Sequence, residues 1–273
     1  MPSKYRPQLF GWIDDLDKGR NYLSMEDDRL IYANNNYCVF IRKTLFDQIF
    51  YMLLCLICIP LCFIAIWLLI LLSITLIDDP DNTLLIIIVI SLIASVVAIY
   101  VLIPELYQNL FPRRGSPIVF NRQTQKVYVN ESYFFNFKFW RNPLFFFTPA
   151  KRRIKEYDWK DLQGVVVHNH SPHALSTTVL MVCKPGTNKT VDHILLDPAR
   201  SGVGSTFVWG WVNSFMDNYH NAKLDDGKYL SSQEDAFKKA YIQGQSWPEW
   251  MIEAFNAESA EHLAQIKQKY QVD

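Results

Sequence analysis

The sequence predicts an α+β membrane protein, in which a two-helix transmembrane hairpin is joined to a cytoplasmic antiparallel β domain with C-terminal helices. Three observations lead to this fold class. Two long apolar runs, at residues 48–77 and 82–104, contain no charged side chain. Several segments after residue 111 alternate apolar and polar residues with the period of two that is typical of strands. Beyond residue 206, aromatic residues recur every four positions, which is typical of helices.

Residues 1–43 are predicted to form a short cytoplasmic segment before the first apolar run. Residues 30–32 and 37–41 have the composition of strands, and the turn-prone asparagines 34–36 separate them. These two strands could form a hairpin alone or add a strand to the later domain. The segment lacks the short apolar core of a cleavable signal peptide, so we expect the first run itself to direct membrane insertion.

The transmembrane hairpin is predicted at residues 44–110, with spans at about 48–77 and 83–104. Each span exceeds the ~20 apolar residues that a helix needs to cross a bilayer core of ~30 Å. The acidic link at residues 78–81 is too short to hold a domain, so the two helices must be antiparallel. Neither span contains Asp, Glu, Lys, Arg or His, which favours an anchor over a transporter or channel.

The distribution of basic residues predicts the orientation of the hairpin. Arg42 and Lys43 precede the first span, and Arg113 and Arg114 follow the second, whereas the link carries no basic residue. Because short loops rich in Lys and Arg stay on the cytoplasmic side, both termini are predicted to be cytoplasmic. We therefore expect a multi-pass membrane protein whose acidic link lies on the opposite side of the membrane from both termini.

Residues 111–222 are predicted to form a β-rich domain that ends in a helix. Strand patterns occur at residues 117–120, 126–129, 135–139, 144–147, 164–168, 177–183 and 191–196. Because these strands follow one another with short turns and no intervening helix, an antiparallel sheet or a partly open barrel is favoured. The helix is predicted at residues 206–220, where Phe207, Trp211, Phe215 and Tyr219 form an aromatic stripe.

Residues 223–273 are predicted to form a C-terminal helical extension. Ser231 with Glu234, and Ser246 with Glu249, have the spacing of a capping box before an apolar helical pattern. The last helix is predicted to continue without interruption from residue 250 to residue 270.

Two clusters contain the residue types of metal or redox sites. Cys55 and Cys58 have C-x-x-C spacing, but inside an apolar span small polarizable residues are more typical of helix packing. His168, His170 and His173 could face one another across a strand and a turn. No cysteine or carboxylate within three residues completes the usual ligand set, so loop histidines are the favoured interpretation.

Catalytic motifs give no support for an enzyme. The sequence has no Gly-x-Ser-x-Gly element, no phosphate loop and no complete dinucleotide fingerprint. We therefore predict a protein that is not an enzyme and that takes no metal and no cofactor. A membrane enzyme with an unrecognised site stays an alternative, and the histidine cluster is its best support.

The sequence offers two groups of candidate contact residues for a partner or a membrane. They are the basic residues Lys151, Arg152, Arg153 and Lys155, and the aromatic residues Trp247 and Trp250. The basic run could contact anionic lipid, lie in a solvated loop or dock an acidic protein partner. Zero net charge and a single short basic run argue against nucleic acid as a partner.

The layout resembles a Gram-negative family of two-span membrane proteins that is defined only as a domain of unknown function. The segments that carry the resemblance are RRGSPIVFNR at residues 113–122 and WKDL at residues 159–162. The resemblance covers most of residues 20–220 and attaches no catalytic role to any residue. The run of strands ending in one helix is also similar to bacterial pleckstrin-homology-like domains, from which the extra C-terminal helices depart.

Members of the resembled family are often encoded beside type VI secretion effectors, which implies an immunity or accessory role. The leading expectation is therefore an inner-membrane-anchored immunity protein that binds and neutralises a cognate toxin. The alternative is a membrane-anchored adaptor for effector loading or complex assembly. The expected partners are the toxin and membrane lipids, and a homo-oligomer stays open.

Overall fold

The computed structural model describes residues 3–9, 11–19, 29–42, 45–76, 82–110, 116–130, 154–169, 175–201, 206–217 and 231–272. The chain divides into two compact units. The first unit, called here the domain unit, combines Met1–Lys43, Arg113–Ser132 and Lys151–Asp273. The second, called the hairpin unit, combines Thr44–Pro112 and Tyr133–Ala150. The strands predicted at 135–139 and 144–147 lie outside the described residues.

The hairpin unit contains helix α1 (Leu45–Thr75) and helix α2 (Asn82–Leu110), which contact each other. Cys55 is buried, and Cys58 and Cys62 are half-buried, so the three cysteines share one less exposed stripe of α1. On α2, Ile88 is buried and Ser95 is half-buried. These cysteines therefore lie where a packed helix surface is formed.

The remaining surface of both helices is apolar and exposed. The stretches Ile49–Thr75 and Thr83–Tyr100 are long and apolar enough to cross a membrane, as the sequence predicts. Trp67 is 64% exposed and Ile90 is 61% exposed. A core helix of a soluble protein would bury such side chains, whereas a bilayer provides an apolar environment for them.

The domain unit contains a five-stranded antiparallel sheet. Two of its strands precede the apolar helices in the chain, and three follow them. Its strands are β2 (Leu30–Ala33), β3 (Tyr37–Phe40), β4 (Ile118–Asn121), β5 (Lys126–Asn130) and β6 (Ile154–Asp158), in that spatial order. Strands β3 and β4 pair directly, with Phe40 opposite Ile118. Strands β2 and β3 thus form a β-hairpin and also extend the sheet of the later strands. The transmembrane candidates are inserted between two neighbouring strands of this sheet.

A second antiparallel sheet has four strands in the order β1-β7-β8-β9. They are β1 (Trp12–Leu16), β7 (Leu162–Asn169), β8 (Leu175–Cys183) and β9 (Thr190–Ser201). The sequence pattern does not reveal β1, because Asp14 and Asp15 interrupt its apolar residues. A 3-10 turn at Trp159–Asp161 leads from β6 into β7.

The main core joins both sheets to helix α3 (Phe207–Met216). Trp209, Trp211 and Phe215 are buried, which confirms the predicted aromatic helix, although it ends at Met216. The Trp209 ring lies against Gly164, where a Cβ atom would come within 2.8 Å of the ring. The absence of a side chain at Gly164 therefore allows α3 to approach the sheet.

The C-terminal helices cover the opposite face of the five-stranded sheet. They are α4 (Ser231–Phe237), which continues as a π-helical turn at Lys238–Ile242, α5 (Glu249–Ala254) and α6 (Ala260–Lys269). Phe237, Phe255 and Leu263 pack there against the sheet residues Tyr37 and Tyr128 in a second core. The sheet is thus buried on both faces, and these helices belong to the folded domain unit.

Two predictions about the C-terminal helices are wrong. The last helix is interrupted, because Ser259 caps the start of α6 by accepting a hydrogen bond from the backbone N–H of His262 at 3.1 Å. The N-cap of α5 is Pro248, whereas Ser246 has a φ angle of 56°. The capping-box spacing of Ser246 is therefore coincidental.

Candidate partner-binding surface

Strand β6 lies at an edge of the five-stranded sheet, and among the described strands only β5 pairs with it. All five residues of β6 are half-buried. Because side chains alternate along a strand, Ile154 and Glu156 face the C-terminal helices, whereas Lys155 and Tyr157 face the other side. An edge strand can pair with an extended segment of another chain. We call β6, the side chains that contact it and Trp250, which contacts one of them (Lys267), the β6 surface.

On the face of β6 that lies toward the C-terminal helices, a tryptophan stands beside a network of charges. The Nζ atom of Lys267 lies 3.0 Å from the Glu156 carboxylate and 5.3 Å from the centroid of the Trp250 ring. The Trp250 ring stands edge-on to Tyr128, with 6.5 Å between centroids. Trp250 is half-buried, so the residue is partly exposed to solvent.

Lys126 extends this network along the sheet. Its Nζ atom lies 2.9 Å from Glu156 and 2.7 Å from Asp158. Burial alone would lower the pKa of Lys126, but the hydrogen bonds and charges of these two carboxylates outweigh burial and raise it. The lysine therefore stays charged at neutral pH.

On the opposite face of β6, two hydrogen-bond donors converge on one carboxylate. The Lys155 ammonium and the Tyr157 hydroxyl both donate to Oδ2 of Asp192 on β9, the hydroxyl at 3.3 Å. The backbone N–H of His193 donates to the other oxygen at 3.0 Å. Burial would raise the pKa of Asp192, but the hydrogen bond and charge of Lys155 outweigh it and lower that pKa.

The described charges around β6 balance. Lys126, Lys155 and Lys267 are basic, and Glu156, Asp158 and Asp192 are acidic. Lys151, Arg152 and Arg153, which the sequence offers as further contact residues, lie outside the described residues.

Of the two tryptophans predicted as contact residues, only Trp250 reaches the β6 surface. Trp247 is 6% exposed, and its ring packs edge-on against Phe255 at 5.2 Å between centroids. It belongs to the second core, so its expected place on an exposed surface is corrected. The apolar helix pattern around residue 250 does not distinguish these two positions.

The histidine cluster is only partly described. His168 lies on β7, where its Nδ1 atom is 3.2 Å from the Ser176 hydroxyl. His170 and His173 lie outside the described residues. Within the ranges that the structure covers, no group of three or more His, Cys, Asp or Glu side chains could hold a metal ion.

A buried arginine fixes the place where the hairpin is inserted. Arg42 follows β3 and is fully buried. Its guanidinium donates to the backbone carbonyls of Ser116 at 2.9 Å, Asn130 at 2.7 Å and Leu195 at 3.3 Å. We call this arrangement the Arg42 clamp. It holds the residue before the hairpin beside Ser116, which follows the hairpin, so both chain segments leave the domain unit at one place.

Sequence reasoning missed Glu156 and Lys267. Their pairing joins β6 to α6 across 111 positions of the chain, and no local pattern signals such a contact. Asp192 is a further example, because it lies 37 positions after Lys155 and on the other sheet. The structure brings its carboxylate to Lys155.

The fold and the β6 surface define an α+β protein with an inserted pair of long apolar helices. The sequence matches the profile of a family of unknown function, DUF6708, over residues 95–251. The chain belongs to this family, which confirms the expected domain of unknown function. The match begins within α2 and ends within α5, so it includes β4–β9 and α3. No curated protein and no solved structure matches the chain.

Proposed function

We propose that the chain is an inner-membrane-anchored immunity protein that binds and neutralises a cognate type VI secretion effector. The insertion of two exposed apolar helices between β3 and β4 is the observation that carries the membrane anchor. Apolar surface on this scale is favourable in lipid and promotes association in water. The link to secretion effectors comes from the Gram-negative resemblance of residues 113–122 and 159–162.

The proposed orientation places both termini in the cytoplasm. The β3–β4 pairing and the Arg42 clamp hold the two ends of the insertion together, which favours an even number of membrane crossings. Lys43, Arg113 and Arg114 add basic residues next to the apolar helices. The domain unit is then tethered at the inner leaflet.

Neutralisation is proposed to be steric, with the β6 surface covering part of the effector. This surface combines an edge strand with a half-buried tryptophan, and protein interfaces favour both features. The protein needs no cofactor and catalyses no step in this proposal. The two antiparallel sheets followed by α3 support the further proposal of a pleckstrin-homology-like arrangement.

A growth-rescue experiment tests the proposal. The effector encoded beside this gene is produced in cells that contain or lack the full chain, and growth is measured. We expect the full chain to restore growth, and a chain with Lys155→Met and Trp250→Ala to protect less at an equal membrane level. Lys269→Met is the matched control, because Lys269 pairs with the exposed Glu253. Equal sensitivity with and without the chain would contradict the proposal.

The adaptor alternative would use the same surface with a different outcome. An adaptor would co-purify with the effector through the β6 surface and would not restore growth. That result would assign the accessory role and reject immunity.

A further inference from the structure

Three exposed basic residues lie next to one another at one end of the four-stranded sheet. They are Arg6, Lys184 and Lys189. Lys184 and Lys189 flank the exposed turn between β8 and β9, and the backbone N–H of Lys184 donates to the carbonyl oxygen of Lys189 at 2.8 Å. Arg6 joins Lys189 from its other side through a parallel bridge. We call these three residues the basic row.

The side chains of the basic row share one face of the sheet. Lys184 and Lys189 are the opposite pair that follows Cys183 and Thr190 at the end of the β8–β9 ladder. Directly opposite residues of neighbouring strands point to the same side, and the bridge places Arg6 on that side too. Because neighbouring strands lie ~4.8 Å apart, the three backbone positions span only ~10 Å.

The charge of the basic row is not balanced within the described part of the chain. Arg6 donates to the neutral side chain of Gln8 at 3.1 Å, and none of the three residues forms an ion pair with a described carboxylate. Asp192, the nearest acidic residue on β9, is already paired with Lys155. Like charges on opposite residues destabilise a sheet. An anion that lies over the row would offset this repulsion.

Exposed apolar residues accompany this positive charge. Val191 is 62% exposed, and Pro185 in the turn is exposed as well. Basic and apolar side chains on one exposed tip fit an anionic lipid surface, which offers phosphates to the former and the acyl boundary to the latter. Neither a free phosphate nor a nucleic-acid backbone provides an apolar environment for Val191.

We infer that the basic row binds the phosphates of anionic lipids in the membrane to which the chain is anchored. The inference rests on the anchoring part of the proposed function. Only residues 43–44 and 111–115 separate the described parts of the domain unit from α1 and α2. Along β9, Lys189 lies ~20 Å from Leu195, whose carbonyl oxygen belongs to the Arg42 clamp. A tether this short keeps the row near lipid headgroups, and the contact holds the domain unit in one orientation on the bilayer.

The test uses the full chain in nanodiscs and measures amide hydrogen exchange of the β8–β9 turn by mass spectrometry. One set of discs contains phosphatidylcholine alone, and the other contains equal parts of phosphatidylcholine and phosphatidylglycerol. We expect exchange at residues 184–191 to be about threefold to tenfold slower in the anionic discs, because basic residues are attracted to that surface. Raising the salt concentration to about 0.5 M should remove the difference, since it shortens the Debye length.

Two doubly substituted chains separate the basic row from total charge. Lys184→Gln combined with Lys189→Gln should abolish the slower exchange in anionic discs. Lys239→Gln combined with Lys269→Gln is the matched control, because it removes two exposed lysines from the C-terminal helices, and it should retain the slower exchange. Arg6→Gln alone should reduce the effect. Near-UV circular dichroism checks that each variant is folded.

Three results would overturn the inference. One is equal exchange of the turn in both kinds of disc. Another is the same slowing in both doubly substituted chains, which would indicate a general attraction of charge. The third is protection of the turn by the effector in phosphatidylcholine discs without any response to phosphatidylglycerol, which would assign the row to an acidic protein partner. A chain that does not assemble into discs would reject the membrane anchor, whereas an anchored chain with unchanged exchange would reject the basic row alone.

Discussion

Asn121 connects the turn between β4 and β5 to the C-terminal helices, and Asn121→Asp should release those helices from the sheet. The side chain is fully buried. Its Nδ2 atom lies 3.3 Å from the carbonyl oxygen of Ala254, 3.0 Å from that of Phe255 and 2.9 Å from that of Ala257. Aspartate has nearly the same shape but places an acceptor where these three carbonyls need a donor.

The magnitude follows from the number of hydrogen bonds lost. A side-chain amide has two N–H hydrogens, so the three carbonyls share at most two good hydrogen bonds. Leaving a buried polar group unsatisfied costs about 1–3 kcal/mol, so the loss of two hydrogen bonds in Asn121→Asp should lower the free energy of unfolding by about 2–6 kcal/mol. For a unit of this size each kcal/mol lowers Tm by roughly 2–4 °C.

The predicted loss should also depend on pH. Burial disfavours a charged carboxylate, so the folded variant should bind a proton more strongly than the unfolded variant. The free energy of unfolding of Asn121→Asp should therefore fall as the pH rises from about 5 to 8. When the introduced carboxyl is protonated it can still donate one hydrogen bond, which explains the smaller loss at low pH.

The assay is thermal unfolding of the full chain in detergent, followed by tryptophan fluorescence, with hydrogen exchange of α6 as a local readout. Asn188→Asp is the control, because Asn188 is exposed in the turn before β9 and undergoes the same charge change. We expect the control to stay within about 0.5 kcal/mol of wild type. Equal stability of the two variants, with unchanged exchange in α6, would refute the role assigned to Asn121.

Three further predictions use the same unfolding assay. Gly164→Ala should lower stability by about 1–3 kcal/mol, because the new Cβ would clash with the rigid Trp209 ring, and an unchanged Tm would contradict this packing. Burial lowers the pKa of Lys18 to about 8, so the free energy of unfolding should rise between pH 8 and the ordinary pKa of 10.5, where the unfolded state binds more protons. Lys18→Met should lack that rise. Trp247→Ala should cost about 3–5 kcal/mol and Trp250→Ala clearly less, and equal losses would place both rings in the core.

The elements that the sequence predicts best are those whose pattern is local. The stripe at Trp211 and Phe215 repeats within one helix, and the polar turn between β4 and β5 is enclosed by two apolar runs. The exposed apolar helices need only composition and length. Each of these features is decided by neighbours a few residues apart.

The elements that the sequence misses depend on distant contacts. Strand β6 contains the charged residues Lys155 and Glu156, so its sequence lacks an apolar strand pattern. In the folded chain these two residues form ion pairs with Asp192 and Lys267. The interruption before α6 depends on Ser259, which ends an otherwise regular apolar spacing. The exposure of a tryptophan is equally non-local, since it is set by which helix covers the sheet.

The candidate site could be predicted from the sequence only in part, because residue types are local information and contacts between distant residues are not. The basic residue Lys155 and the aromatic residue Trp250 can be recognised from residue type alone. Their location on opposite faces of the five-stranded sheet cannot be recognised in this way. It requires the pairing of β5 with β6 and the packing of α5 on the sheet.

We propose that an apolar hairpin anchors a cytoplasmic domain whose chain enters and leaves it at one place. The most direct measurement places alkaline phosphatase, which is active only outside the cytoplasm, at Asn82 or at the C-terminus of the full chain. We expect activity at Asn82 and none at the C-terminus. Activity at the C-terminus, or none at either position with both fusions present in the membrane fraction, would contradict it.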